Sequence, residues 1–127
     1  MIVVDASAVV MGLLNAGPAR DLLSSEQLHA PHMADAEIAS VMRRQVAASR
    51  VEPAAGWAAL EAWRRMGVVR HGTVVMLERI WQLRDSLSAY DASCVALAEA
   101  LGCPLATADA RIGGAPGVRC PLVVLPG

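Results

Sequence analysis

Lysine is missing from this chain altogether, and so is phenylalanine. All eleven basic residues are arginine, so any mechanism that needs a lysine is excluded. With no phenylalanine, and aromatics at only 3%, a core must be filled by Ala, Val, Leu, Ile and Met. A basic excess is missing too. The net charge is −1 and the pI is ≈ 6.3, so the overall electrostatic footprint of a basic nucleic-acid binder is absent and only local patches remain open. The cysteines, Cys94, Cys103 and Cys120, are odd in number and show no CxxC spacing. That pattern fits reduced, mostly buried thiols in a cytosolic protein. No uncharged run approaches the roughly 20 apolar residues of a membrane span. The longest, Ala6 to Ala19, contains Asn15, Gly17 and Pro18. The apolar start lacks a basic n-region and is interrupted by Asp5, so a signal peptide is rejected. A soluble cytoplasmic protein is the default expectation.

What is present can fold. Apolar residues make up 55% of the 127 and charged residues 18%, which suits one domain, residues 1–127, with a single sizeable core. "MIVVD" reads as a short buried strand and "LHAP" as a second. "CPLATAD" and "VRCPLVVLP" read as later strands, and "VVRHG" as a strand or merely extended chain. Helices are expected from Ser7 to about Gly17, through "ARDLLSSE", over "MADAEIASVMRRQVAAS", over "PAAGWAALEAWRRMG", through "TVVMLERIWQLRDS" and over "SAYDASCVALAEALG". Pro53 suits a first turn, and Gly67 and Gly102 suit helix stops. Short apolar strands alternating with helices indicate an α/β domain with a mostly parallel sheet. There is no internal repeat, linker or low-complexity tract.

Charges inside apolar runs then stand out. In open parallel sheets ligands bind beyond the carboxyl ends of the strands, and Asp5 and Asp109 fall at two such ends. Asp91 lies within roughly 40° of the centre of the stripe Cys94, Val95, Leu97, Ala98 and Leu101, taking about 100° per residue. Its carboxylate therefore faces inward or sits at the stripe's N-terminal mouth, whereas Glu99 is expected to point to solvent. Asp35 and Glu37 flank the apolar face of Ile38, Val41 and Met42 on either side, and periodicity does not choose between them. Each acid also has a bland reading. Asp5 or Ser7 suits a helix cap, and Ser88 with Asp91 matches a capping box. Asp109 suits an Asx-turn, and Asp35 or Glu37 suits the positive end of a helix. Four acids near one edge of one sheet are harder to dismiss. Carboxylates packed together raise each other's pKa unless a cation neutralises them, and oxygen-only ligation suits Mg²⁺ or Mn²⁺.

Together, "MIVVDASAVV", "MADAEIASVMRR" and "LSAYDASCVALAEALGCPLATAD" resemble the PIN-domain nucleases, and within them the VapC toxins of bacterial toxin–antitoxin pairs. The resemblance spans nearly the whole chain and extends upstream through "LERIWQLRD" and Arg84. It implies a three-layer α/β/α sandwich with a short, mostly parallel central sheet. It selects Glu37 over Asp35 and implies Mg²⁺-dependent endonucleolytic cleavage of RNA, with Mn²⁺ as a substitute. Asp5, Asp91 and Asp109 would ligate the metal, and Glu37 would orient the attacking water or bind a second ion. Ser7 and Thr107 are candidates to support these ligands, with ordinary capping or turn hydrogen bonds as the bland reading. The resemblance also implies a homodimer and a cognate VapB-like antitoxin that occupies the active site.

The arginines fall in groups: Arg43, Arg44 and Arg50; Arg64, Arg65 and Arg70; Arg79 and Arg84. Guanidinium forks suit phosphate, and Arg84 is the substrate candidate because it lies just upstream of the Asp91 block. Most of the others read as solvated helix surface. His29 and His32 are in no recognisable zinc spacing and read as structural. Trp57, Trp63 and Trp81 read as core or interface anchors. A phosphate-accepting receiver domain would need a lysine. A haloacid-dehalogenase-like phosphatase would need D-x-D where this chain has "DAS", and neither Gly-rich phosphate fingerprint is present. A non-catalytic PIN-like scaffold that binds RNA or protein is the remaining alternative.

Overall fold

The computed structural model describes residues 1–126. Five strands, β1 (Ile2–Val4), β2 (Leu28–Pro31), β3 (Val69–His71), β4 (Leu105–Thr107) and β5 (Leu122–Val124), form one sheet in the order β3-β2-β1-β4-β5. Every neighbouring pair is parallel. "VVRHG" thus resolves as an edge strand. Six helices connect them: α1 (Ala6–Leu14), α2 (Pro18–Ser25), α3 (Met33–Ala47), α4 (Pro53–Arg65), α5 (Leu77–Gln82) and α6 (Ala89–Leu101).

The three inner strands, β2, β1 and β4, are buried on both faces, and alternation along them divides the core in two. Ile2 and Val4 pack with Val9, Leu23, Ile38, Met42 and Trp63 of the layer formed by α1–α4. Val3 and Leu105 point the other way, onto Leu83 and α6. This is the expected three-layer α/β/α arrangement, and it explains why the strands read as unbroken apolar runs. Helix α6 is wrapped by protein, with Ala92 to Ala98 all buried. Close packing of α1 on α2 depends on Gly12: a Cβ there would meet Leu23 Cδ1 at 2.5 Å. Gly102, at φ 64°, closes α6 in the left-handed region that other residues enter at a cost.

Two elements differ from expectation. Helix α1 stops at Leu14 because Asn15 is already extended (φ −134°, ψ 136°). The stretch expected as one helix over residues 73–86 is a 3₁₀ turn (Val74–Met76), the short α5, and hydrogen-bonded turns through Ser86. Beta-branched Val74 and Val75 crowd a helical first turn, and both side chains lie exposed. Among the described residues no helix is long and apolar enough to cross a membrane. The three cysteines are free and buried.

The strand order decides where a site can form. From β1 the chain moves outward to β2 and β3, then returns to the other side of β1 for β4 and β5. The direction of winding reverses between β1 and β4, which opens a crevice at their carboxyl ends.

Candidate active site

Asp5 follows directly on β1 and is 3% exposed. It is the N-cap of α1: Oδ1 accepts the Ala8 N–H at 2.9 Å and the Ser7 hydroxyl at 2.6 Å. The capping reading is therefore correct for Asp5, and it fixes the carboxylate at the crevice. Ser7 spends its one proton on Asp5, so it accepts from Ala108 N–H at 2.9 Å and from the Thr107 hydroxyl at 3.3 Å. Thr107, fully buried at the end of β4, accepts the Asp109 N–H at 3.0 Å. One chain of hydrogen bonds thus joins the ends of β1 and β4.

Asp91 is the first-turn acid of α6. Ser88 caps that helix by accepting the Asp91 N–H at 3.1 Å. The cap uses the backbone of Asp91 and leaves its carboxylate to the crevice. Burial pushes this carboxyl above the usual carboxylate range, with the charges of Asp5 and Asp109 adding to it and the Ser88 hydroxyl and Arg111 opposing. Beside it, the Tyr90 hydroxyl accepts the Ala6 N–H at 2.9 Å, pinning the start of α1 to the start of α6. Burial pushes the Tyr90 phenol far up, so it remains neutral.

Asp109 makes the expected Asx-turn, accepting the Arg111 N–H at 3.0 Å, and it does more. The Arg111 guanidinium forks onto it, Nε to Oδ1 at 2.9 Å and Nη2 to Oδ2 at 2.8 Å. That guanidinium holds the Asp109 carboxyl below its ordinary value.

Helix α3 separates its two acids. Asp35 accepts a fork from Arg70 of β3, at 2.8 and 2.9 Å, and the Trp63 indole N–H of α4 at 2.7 Å. It is a structural anchor for two neighbouring elements. Glu37 instead faces the crevice. The cleft there, ≈ 810 Å³, is lined by Asp5, Glu37, Asp91 and Asp109, with Arg44 and Arg111 on its rim. Four carboxylates from four separate segments meet one cavity.

A PIN-domain profile matches residues 2–117. Ribonuclease VapC9 of Mycobacterium tuberculosis is 53% identical over 126 residues, covering 99% of both chains. The chain belongs to the PIN-domain family, among the VapC ribonucleases. Solved structures agree on the fold. The M. tuberculosis VapC20 toxin, described as cleaving the sarcin–ricin loop, superposes with a TM-score of 0.67 at 21% identity, covering 94% of this chain and 97% of the other. VapBC2 of Rickettsia felis, bound to a promoter DNA fragment, gives 0.70 at 13% identity, covering 99% and 100%.

The donor set of this PIN domain suits a hard cation. Carboxylate oxygens line the cleft, and no histidine or cysteine does. Among the described residues no group of three acids, histidines or cysteines converges closely enough to hold one ion as arranged. Asp109 is turned onto Arg111, whose guanidinium already supplies it with a positive charge.

Arg84 lies outside the cleft lining. Its guanidinium stacks on Trp81 at 4.4 Å and donates to the Trp81 carbonyl. The arginines that reach the cleft are Arg44 and Arg111. Arg111 carried no signal beyond lying two residues after an acid, the spacing of an Asx-turn. Glu99 is a correction. It is not turned to solvent but forked by Arg79 at 2.7 and 3.1 Å, and it accepts the Arg119 N–H at 2.9 Å. Helix α5 packs over that side of α6, which periodicity within α6 alone does not reveal. Trp63 is a core residue, whereas Trp57 and Trp81 are largely exposed. His29 is buried, its Nδ1 2.9 Å from Nε2 of His71 on the adjoining strand.

Proposed function

We propose that this chain is a Mg²⁺-dependent endoribonuclease acting as the toxin of a toxin–antitoxin pair. The observation that carries the reading is the convergence of Asp5, Glu37, Asp91 and Asp109 on one cleft at the winding reversal of the sheet. The names of the relatives support the substrate class.

Asp5, Asp91 and Asp109 would hold the metal. When bound, a divalent cation such as Mg²⁺ or Mn²⁺ acidifies a water and neutralises charge on the scissile phosphate. Glu37 would orient the attacking water and take its proton. Ser7 and Thr107 keep Asp5 and the Asp109 backbone in place. Tyr90 holds the α1 and α6 termini together, so Asp5 and Asp91 face the phosphate with a fixed separation. Arg44 and Arg111 offer guanidinium groups to the RNA backbone at the rim of an acidic cavity.

A homodimer and an antitoxin complete the proposal. The R. felis neighbour is a VapBC complex. Here, Val74, Val75, Leu77 and Trp81, close together in one segment, are each largely exposed. Trp57 edges an apolar groove of ≈ 400 Å³ between α3 and α4. Surfaces of this kind are commonly covered by protein partners. Such a pair would work in the cytoplasm of a bacterium or archaeon.

The test is cleavage of structured RNA by purified protein with Mg²⁺, beside Asp5→Asn and Asp91→Asn. Loss of cleavage in both variants is expected. Equal cleavage by all three points to a contaminating nuclease and overturns the assignment. A wild-type protein that binds RNA and never cuts supports the scaffold reading.

A further inference from the structure

Arg111 occupies an unusual place. Its backbone is pinned: its N–H donates to Asp109, and Ile112 beside it is buried. Its side chain is 91% exposed, yet it ends in a two-bond fork on the Asp109 carboxylate. Two cavities meet there. The main cleft and a second one of ≈ 260 Å³ share Ser88, Asp91, Asp109 and Arg111, and the second continues over Ser86, Leu87 and Ile112. The two cavities adjoin at this side chain and its neighbours Ser88, Asp91 and Asp109.

The fork engages both oxygens of Asp109. A metal ion on the same carboxylate needs at least one of those oxygens and repels the guanidinium. The two cations therefore compete. An exposed ion pair holds weakly, so the fork can open under a divalent ion. A released guanidinium on a pinned backbone remains at the junction of the clefts, where the two non-bridging oxygens of a phosphate diester can accept the same two-bond fork.

We propose that Arg111 is a two-position residue: it is the counter-cation of Asp109 in the metal-free protein, and metal binding hands it to an RNA phosphate at the junction of the two clefts. The inference rests on the metal-dependent nuclease reading. It adds that metal and substrate binding are coupled through one side chain, so that the RNA grip is switched on by the ion.

Two binding measurements test it, neither of them activity. The first is calorimetric titration of the RNA-free protein with Mn²⁺. Arg111→Ala should bind Mn²⁺ roughly two- to fivefold more tightly than wild type, the range set by the strength of an exposed pair. The second is binding of a fluorescein-labelled RNA stem–loop across a salt series, once with Ca²⁺ and once with EDTA. With Ca²⁺ the salt slope of Arg111→Ala should be shallower than wild type by about 0.7, one single-stranded phosphate contact. In EDTA the two slopes should coincide, because Asp109 holds the guanidinium. Arg111→Lys keeps the charge and should recover most of the slope; it carries the test if the alanine variant does not fold.

Equal Mn²⁺ affinities for wild type and Arg111→Ala overturn the proposal. So does a slope difference that is the same in Ca²⁺ and in EDTA. If wild type binds Mn²⁺ and cleaves RNA while either of these holds, only the role of Arg111 falls. If wild type binds no Mn²⁺, the metal reading falls with it.

Discussion

Ser7 and Thr107, a hundred residues apart in sequence, place their hydroxyl oxygens 3.3 Å apart beneath the cleft. Thr107 donates, because the Ser7 proton is engaged by Asp5 at 2.6 Å. The pair carries the register of β1 relative to β4 into the position of two cleft carboxylates. Ser7→Ala leaves the Ala108 N–H unpartnered and should cost about 1–3 kcal/mol. Thr107→Val leaves the Asp109 N–H unpartnered and should cost a similar amount. In urea unfolding the two should be coupled by about 0.5 kcal/mol or more. Strictly additive losses would show that the hydroxyls act separately.

Asp35 and Glu37 should separate stability from activity. Asp35→Asn disturbs the anchor to Arg70 and Trp63. Its carboxylate is 45% exposed, so the expected loss is at most about 1 kcal/mol, with cleavage retained. Glu37→Gln should melt like wild type and lose cleavage by about 100-fold or more, in the range for a positioned acid–base group. Thermal melts and cleavage rates on the same preparations decide between this pattern and its reverse.

The Arg79–Glu99 pair sets a pH signature remote from the cleft. Burial pushes the Glu99 carboxyl up, but the Arg79 fork, the Arg119 N–H and the two guanidinium charges outweigh it, so its pKa lies below the ordinary value. The unfolded chain then binds the proton more readily than the folded one. The stabilisation is present above the unfolded carboxyl pKa of about 4.3 and is lost as pH falls through the lower folded value. Glu99→Gln should cost on the order of 2 kcal/mol at neutral pH, since both partners are less than one-fifth exposed. The gap between variant and wild type should narrow as pH falls below the unfolded carboxyl value and close only beneath the lower folded one. A gap that stays constant from neutral pH down to the acid limit of folding in denaturant titrations would assign the effect to packing instead.

Metal should stabilise the fold through the cleft. Mn²⁺ at 100 times its dissociation constant should add about 2.7 kcal/mol, seen as a rise in melting temperature that EDTA reverses. Asp91→Asn removes one of the mutually repelling carboxylates. It should melt above wild type in EDTA and gain little from Mn²⁺. An equal Mn²⁺ shift in both proteins would exclude Asp91 as a ligand.

Much of the scaffold was legible because its signals are local. Strand runs in "IVV" and "PLAT", Pro53 at a first turn and Gly102 at a stop reflect the chemistry of neighbouring residues. Asp91 could be oriented because α6 is long enough for its stripe to define an angle. Glu37 could not be chosen over Asp35 from the residues themselves. What fixes Asp35 comes from Trp63 and Arg70, 28 and 35 positions away. Glu99 is the same case, since its partner Arg79 lies on α5. Arg111 left no sequence mark because an arginine two residues past an aspartate is ordinary surface until two clefts are seen to meet there.

By itself the sequence determined the α/β class, the ends of most elements and the positions of Asp5, Asp91 and Asp109 at or near element boundaries, because helix and strand periodicity and capping are short-range physics. Only the tertiary structure decided which acids share a cleft. That depends on the strand order β3-β2-β1-β4-β5, which reverses the winding beside Asp5, and on long-range hydrogen bonds that turn Asp35 away and leave Glu37 facing in. Partners brought together by the folding of distant segments have no periodicity to announce them.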